Sequence, residues 1–307
     1  MQIFKDTHFD FQGKRRLAYI FSGSLILIGI ISLILHGGPK YSIDFLGGMS
    51  LRLQFSNPAS EGEVRNALSH LNLGSSEVKT IHEMGEKPEI LIRIKQSESG
   101  EDTQQLLISS LREQFSSNPF DVRSVDRVGP RIGTELRNAA ILAILVTLVL
   151  ILIYLSWRFE FKFGVGAVVA LFHDVMITLG AFSLLNMEIS LAVVAAFLTI
   201  VGYSLNDTIV IFDRIRENLK KHSTMQLKDI INISVNETLS RTFITAGTTF
   251  IVVLSLFIFG GQVIHEFSFA LLMGIIFGTY SSIYIASPVL LEWRTQELLR
   301  KKRQRGK

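Results

Sequence analysis

The sequence predicts a polytopic α-helical membrane protein with six transmembrane helices and a small α+β domain inserted between the first two. Of its 307 residues 48% are hydrophobic, and many of these fall in runs close to the ~20 residues that a helix needs to cross a hydrocarbon core. Between the first and second runs, residues 37–138 carry a charged side chain every few positions and contain no such run. These two observations separate a membrane part from a water-exposed insert.

Six apolar runs are predicted to form the membrane-spanning helices. Five are nearly unbroken, and the one that opens with TFITAGTT is polar for its first turn. The first run follows the basic stretch KRR, as in a signal peptide, but no A-x-A-like cleavage site comes after it, so an uncleaved helix is predicted. The runs are Leu17–Leu35, Ala139–Trp157, Gly164–Leu185, Ile189–Phe212, Thr242–Gly260 and Glu266–Leu291.

The distribution of Lys and Arg predicts how these helices are oriented. Basic residues fall in both terminal tails and in the loops after the second and fourth helices, whereas the loops LNMEIS and GGQVIHEF contain none. Because loops rich in Lys and Arg stay in the cytosol, both termini are predicted to be cytoplasmic. The net charge of +4 then indicates tails near anionic membrane lipids and not a nucleic-acid surface. The predicted organisation is a cytoplasmic segment 1–16, a first helix 17–36, a domain with linkers outside the cytosol 37–138, five further helices 139–292 and a basic cytoplasmic tail 293–307.

Alternating and helical patterns within the insert predict a ferredoxin-like βαββαβ domain, also called the split βαβ arrangement. The first helix of the insert begins behind Ser60, where Glu63 three residues on completes a capping box. The turn residues GEKP separate the second and third strands. The predicted segments are strand 49–55, helix 60–73, strands 78–84 and 89–95, helix 101–115 and strand 120–128.

The insert shows no pattern typical of a catalytic or metal site. His70 and His82 are isolated in the sequence and are interpreted as surface or packing residues. The chain contains no cysteine, which excludes disulfides and thiolate ligands. No enzyme activity, cofactor or metal ion is therefore predicted, and the insert is interpreted as a binding or mechanical module. Its two connections to the membrane contain residues that act either as linkers or as hinges: Gly37, Gly38, Gly129, Pro130 and Gly133.

Three polar sites lie inside the predicted membrane helices, where an uncompensated charge is unfavourable. His173 and Asp174 lie near the middle of the third helix, and Asp207 with Asn206 lies about 9 Å inside the fourth, at 1.5 Å per residue. Arg241 is predicted where the fifth helix begins. Because adjacent residues do not share a helix face, Asp174 is expected to point away from His173.

These polar residues allow structural and functional interpretations. Arg241 is either a snorkelling anchor or a partner of Asp207, and His173 is either a core histidine bonded to another helix or part of a site. A buried carboxylate, in contrast, must pair with a cation or take up a proton. Asp207 is therefore predicted to be a proton switch with Arg241 as its partner, supported by the polar residues Asn206, His173 and Asp174.

Small residues recur every four positions in the sixth helix, at Ala270, Gly274, Gly278 and Ser282. Such a small-xxx-small ridge allows the backbone of a neighbouring helix to approach closely. The ridge predicts a tight bundle in which Asp207 is shielded from lipid.

Five segments together resemble the SecD/SecF family of the RND superfamily, and the resemblance extends over essentially the full length. They are SIDFLGG, VGPRIGTEL, FHDVMITLG, VGYSLNDTIVIFDRIREN and ETLSRTFITAGTT. The resemblance implies an inner-membrane accessory of the bacterial protein translocase that is driven by the proton motive force. It also implies that Asp207 is the proton-relay acid and Arg241 its basic companion. The implied partners are SecD, which supplies a second six-helix half, YajC, the SecYEG channel and the translocating polypeptide.

Two alternatives from other classes stay open. An RND-type exporter of small molecules or lipids has similar helices and a proton relay, but needs a ligand cavity in a larger external domain. A membrane scaffold without ion coupling has no need of Asp207. A proton-flux assay on membranes separates the scaffold from a coupled protein.

Overall fold

The computed structural model describes residues 7–71, 73–74, 76–81, 87–95 and 103–305. Within them, six helical segments are long and apolar enough to span a membrane, which confirms the predicted polytopic helical class. His82 and the first half of the predicted turn GEKP lie outside the described residues. In chain order the elements are α1 (Arg15–Leu35), α2 (Ile43–Leu46), β1 (Gly48–Phe55), α3 (Glu61–Ser69), β2 (Glu77–Ile81), β3 (Glu89–Lys95), α4 (Thr103–Gln114), β4 (Phe120–Val128), α5 (Pro130–Arg158), α6 (Phe161–Leu184), α7 (Leu191–Lys221), α8 (Leu227–Phe259), α9 (Gly261–Ser281) and α10 (Ser287–Arg305).

Several spanning helices extend beyond their apolar runs. Helix α5 begins at Pro130 behind Gly129, because proline suits the first helical position, where its missing N–H needs no partner. Pro130 and Gly133 therefore lie in the first turn of a helix and not in a linker, whereas a hinge at this position stays a prediction. Helix α8 begins at Leu227, so Arg241 lies well inside a helix and not at its start. Polar residues continue these helices because a helix outside hydrocarbon no longer needs apolar side chains.

The insert contains a four-stranded sheet with the strand order β2-β3-β1-β4. All three neighbouring pairs are antiparallel. Helices α3 and α4 each connect two strands that are not neighbours in the sheet. Helix α3 lies between β1 and β2 in the chain, and α4 lies between β3 and β4. The central strands are therefore β1 and β3, and the edge strands are β2 and β4.

Two local patterns predicted for the insert are confirmed. Met49, Leu51 and Leu53 alternate along β1 and are buried in one apolar core with residues of α3 and α4. Ser60 caps α3, because its hydroxyl accepts from the Glu63 N–H at 3.2 Å while its own N–H donates to the Glu63 carboxylate at 2.9 Å. The capping box therefore satisfies two backbone groups at once.

Glycine residues let the spanning helices pack closely. Helix α1 crosses α6 at Gly29 and Gly180, where a Cβ on either residue would lie 2.8 Å from the Cα of the other. The ridge on α9 faces α7, and a Cβ on Gly278 would lie 2.9 Å from Ser204 Cβ. The other members of the ridge, Ala270 and Ser282, are fully buried. The bundle is therefore built around the contact of α7 with α9.

Replacing Gly274 by Leu should destabilise the bundle. A Cβ at this position would lie 2.2 Å from Ile200 Cγ1 on α7, and overpacking of this kind costs about 1–3 kcal/mol. Gly23→Leu on α1 is the matched control, because nothing lies within 4 Å of a Cβ there. We expect a lower melting temperature in detergent for the first variant only; equal losses in both would contradict the packing described.

Candidate functional site

The carboxylate of Asp174 on α6 lies inside the membrane part and has no exposed surface. Its Oδ2 accepts from Ser204 Oγ on α7 at 2.7 Å and from Ser281 Oγ on α9 at 2.8 Å. Its Oδ1 lies 2.9 Å from Nδ1 of His173. One side chain therefore connects three spanning helices.

His173 and Asp174 contact each other, so the prediction that they point apart is wrong. Adjacent helical residues differ by about 100° in direction, but α1, α7 and α9 surround α6 over a wider arc than that. Both side chains are therefore interior, with 4% of His173 exposed. Side-chain length then brings the ring and the carboxylate together.

A chain of hydrogen bonds extends from His173 to α1. Nε2 of His173 lies 2.9 Å from Ser22 Oγ, the Ser22 hydroxyl donates to Tyr280 Oη at 3.1 Å, and Tyr280 Oη donates to the carbonyl of Ala18 at 3.0 Å. The ring of Tyr280 also stacks on His173. These bonds join α1, α6 and α9 around the imidazole.

The direction of these bonds determines how many protons the His173–Asp174 pair holds. Since the Ser22 hydroxyl donates to Tyr280, it must accept from Nε2 of His173, which therefore carries a proton. The contact of Nδ1 with Asp174 Oδ1 needs a second proton, on one atom or the other. The pair is therefore either imidazolium with carboxylate or imidazole with carboxylic acid. In both forms its net charge is zero, as suits a buried site.

The hydrogen-bonded side chains continue along α7 to a π-helical turn in the sixth spanning segment. Thr208 Oγ1 and Ser282 Oγ are 2.8 Å apart, and Ser282 also donates to the carbonyl of Gly278. Ser282 opens a π-helical turn, Ser282–Ala286, between α9 and α10. The Ser287 hydroxyl donates to the Ser282 carbonyl at 2.9 Å. Turns of this type are frequent at functional sites, and this one lies against α7.

Asp207 lies one turn beyond Ser204 on α7 and is only 4% exposed. Its Oδ2 has no hydrogen-bond partner within the described part of the chain. Arg241 on α8 forms no ion pair with it within 4.0 Å, as far as the described residues extend, although its charge is close enough to act on Asp207. The structure thus places the predicted acid in the interior and its predicted partner nearby but not in contact.

Arg241 is exposed and lines a cavity of about 1030 Å³ at the end of the bundle away from the insert. The cavity lies between α7, α8 and the segment that precedes α1. That segment is tied to α8, since Asn236 exchanges hydrogen bonds with both the N–H and the C=O of Phe9. Bonds from the Gly13 N–H and the Asn232 amide hold the pKa of Asp10 below its ordinary value.

The remaining predicted site residue, Asn206, is exposed on the outer surface of α7. The structure therefore does not bring it together with Asp174 or Asp207. Sequence reasoning missed Ser22, Ser204 and Tyr280, since serine and tyrosine are common in spanning helices. The spacing of Ser204 three residues before Asp207, on the same helix face, was the available signal.

The fold and the site define a polytopic helical membrane protein with a buried protonatable cluster. A family profile described as "Protein export membrane protein SecD/SecF, C-terminal" matches residues 108–296. The chain belongs to the SecD/SecF family of protein export membrane proteins.

Several relatives that match over nearly the full length are SecF subunits. The protein translocase subunit SecF of Rhodothermus marinus is 44% identical, with 98% of each chain covered. That of Desulfurispirillum indicum is 47% identical, with 94% of this chain and 92% of the relative covered.

Solved structures of SecDF have the same fold. The crystal structure of SecDF from Thermus, a translocon-associated membrane protein, matches with a TM-score of 0.84 and 36% identity over 94% of this chain. A super-membrane-facing form of SecDF matches with a TM-score of 0.72 over 99% of this chain. The chain spans 39% and 41% of those two SecDF chains.

Proposed function

We propose that this chain is the SecF subunit of a SecD–SecF complex in the bacterial inner membrane, and that it uses the proton motive force to assist protein export through the Sec channel. The observation that carries the proposal is Asp207, a buried carboxylate in a spanning helix, with an oxygen that has no hydrogen-bond partner among the described residues. The 44% identity to a SecF subunit over nearly the full length supports the export role. SecYEG, YajC and the translocating polypeptide complete the proposed assembly.

Asp207 is suited to exchange a proton because no residue in the described part of the chain holds either of its charge states with a hydrogen bond or an ion pair. As a neutral acid it is compatible with its apolar surroundings. As a carboxylate it needs a cation or water, since a buried ion without either is strongly disfavoured. Arg241, which lines the cavity between α7 and α8, is the proposed cation, and the helices then prefer a different packing in each state.

The proton motive force supplies enough energy for such a switch. At roughly 180 mV, one proton moving inward releases about 4 kcal/mol. Moving a two-state element from 1:99 to 99:1 takes about 5.5 kcal/mol. One proton therefore provides most of a full switch, and two exceed it.

The His173–Asp174 pair has a supporting role in this proposal. It holds α6 against α7 and α9, with Ser204 one turn from Asp207. Its net neutrality lets it stay buried throughout the cycle. A shift of α7 on protonation of Asp207 would then strain the bond from Ser204 to Asp174.

We infer further that the insert is a ferredoxin-like domain on the periplasmic side, and that both termini are cytoplasmic. The strand order β2-β3-β1-β4, with all pairs antiparallel, supports the first inference. The positions of Lys and Arg support the second. The insert then faces the side on which an exported polypeptide emerges.

The proposed function is tested by secretion in cells that depend on this chain together with its SecD. The rate of export of a reporter should rise above that of cells lacking the chain only while the proton gradient is maintained. An ionophore that collapses the gradient, at fixed ATP, should remove this increase. An unchanged increase would exclude coupling to protons.

Protease accessibility tests the proposed orientation. Protease added to intact spheroplasts should cleave within residues 37–128 and leave the C-terminal tail intact. Disrupted spheroplasts are the control, in which both are cleaved. Trimming of the tail in intact spheroplasts would show that the orientation is inverted.

A further inference from the structure

A cluster of charged side chains joins the insert to the membrane part. Glu188, in the loop between α6 and α7, is only 4% exposed. Its Oε1 forms ion pairs with Arg93 on β3 and with Lys40, whose Nζ lies 3.3 Å away. Glu77 on β2 also pairs with Lys40, at 2.9 Å. Two strands of the sheet are thereby held to the outer end of the helix bundle.

Backbone bonds tie the same loop to the segment that leads into the insert. The Ile189 N–H donates to the Lys40 carbonyl at 2.7 Å, and the Ser42 N–H donates to the Ile189 carbonyl at 3.0 Å. Tyr41 and Ile189 thus form a parallel β-bridge. This segment is consequently fixed to the loop before α7.

The next residues hold the first turn of α7. Oδ2 of Asp44 accepts from the Leu191 N–H at 2.9 Å, where a carboxylate also complements the positive end of the helix dipole. Phe45 is buried in a core with Phe182 and Val193. The motif SIDF therefore binds the start of α7 instead of forming a loose linker.

The beginning of α5 closes this arrangement from the other side. A Cβ on Gly133 would lie 2.9 Å from the Phe45 carbonyl, so only glycine permits the approach. Since β4 runs directly into α5 through Gly129, both connections of the insert are fixed near the same place. We name the contacts of Lys40–Phe45 with Glu188–Leu191 and Arg93 the outer joint.

We propose that the outer joint makes the insert move with α7, so that Glu188 and Arg93 position the sheet on the helix that carries Asp207. The inference rests on the proposed function and names the route by which a change at Asp207 reaches the insert. Sixteen residues separate Leu191 from Asp207, which is about 24 Å of continuous helix at 1.5 Å per residue. A stiff helix of that length conveys a tilt from the buried acid to its outer end.

The absence of native cysteine allows spin labels on β3 and on the outer end of α5 to report the position of the insert in the complex with SecD. We expect Glu188→Gln and Arg93→Gln each to broaden the distance distribution and to lower proton-dependent secretion several-fold. The charge exchange Glu188→Arg with Arg93→Glu should partly restore both. Arg123→Gln is the matched control, because the ion pair of Arg123 with Glu89 lies within the sheet. This variant should leave the distance distribution and the proton-dependent secretion unchanged. A narrow distribution and normal secretion in the single variants would overturn the proposal.

A cross-link distinguishes a joint that stays closed from one that opens. Paired residues on neighbouring strands lie about 4.8 Å apart, within the roughly 4.4–6.8 Å of Cα separation that a disulfide bridges. Tyr41→Cys with Ile189→Cys should therefore cross-link and keep normal secretion, whereas loss of secretion on oxidation alone would contradict a closed joint. The label distances require no proton flux. They therefore test the outer joint separately from the proposed function, which fails if a variant with Asp207 replaced by Asn still secretes normally.

Discussion

Replacing Asp207 by Asn is expected to reduce reporter secretion to the level of cells without the chain, while expression and copurification with SecD stay normal. The amide has nearly the shape of the protonated acid, and the side chain is buried with no hydrogen-bond partner for its Oδ2 among the residues that the structure describes. The variant therefore packs as the neutral state does. It cannot ionise, so the second packing of α7 is never reached.

Asp213→Asn is the matched control for this variant. Asp213 lies farther along α7, is half-exposed and pairs with Arg158 at 3.4 Å. Exposed pairs of this kind contribute little, about 0–1 kcal/mol. Secretion by this variant should stay near normal. Normal secretion by Asp207→Asn as well would return Asp207 to a packing role.

Replacing Asp174 by Ala should have the largest effect on stability. The change leaves Ser204 and Ser281 without their acceptor and His173 without its partner, at a fully buried position. Removing one member of a buried ion pair costs about 3–5 kcal/mol, and each neutral buried group left without its partner costs about 1–3 kcal/mol. We expect a large drop in melting temperature of the detergent-purified protein and reduced accumulation in membranes.

Asp174→Asn separates the two possible forms of the pair. Its amide N–H₂ can donate to Nδ1 of His173 while its oxygen accepts from Ser204 and Ser281, which reproduces imidazole with carboxylic acid. If that form is present, this variant melts close to the native protein. A loss as large as that of Asp174→Ala would instead indicate imidazolium with carboxylate. Thr199→Ala is the control, since its exposed hydroxyl bonds only within α7.

The sequence predicted those features that depend on local pattern. Apolar runs identified the spanning helices, and the spacing of Ser60 and Glu63 identified the start of α3. Alternation along β1 identified the buried side of the sheet. Each of these patterns lies within one element, so a single stretch of sequence contains it.

Features that depend on several elements were not predictable in the same way. The contact of Asp174 with His173 requires neighbours around most of α6, which periodicity along one helix does not reveal. The binding of Asp44 to the start of α7 joins residues far apart in the chain. The sequence predicts Arg241 at the start of a helix because the polar residues before it interrupt the apolar pattern over the early part of α8. Asp207 itself was identified, since a carboxylate in an apolar run is informative without any neighbour.

Infrared difference spectroscopy tests the central claim, proton exchange at Asp207, most directly. The complex with SecD in lipid is titrated through successive pH steps, and the C=O stretching band of protonated carboxylic acids is followed. The native complex should show a carboxylic acid band that grows on acidification and is absent from Asp207→Asn, but present in Asp213→Asn. An identical set of bands in the native complex and in Asp207→Asn would contradict the account.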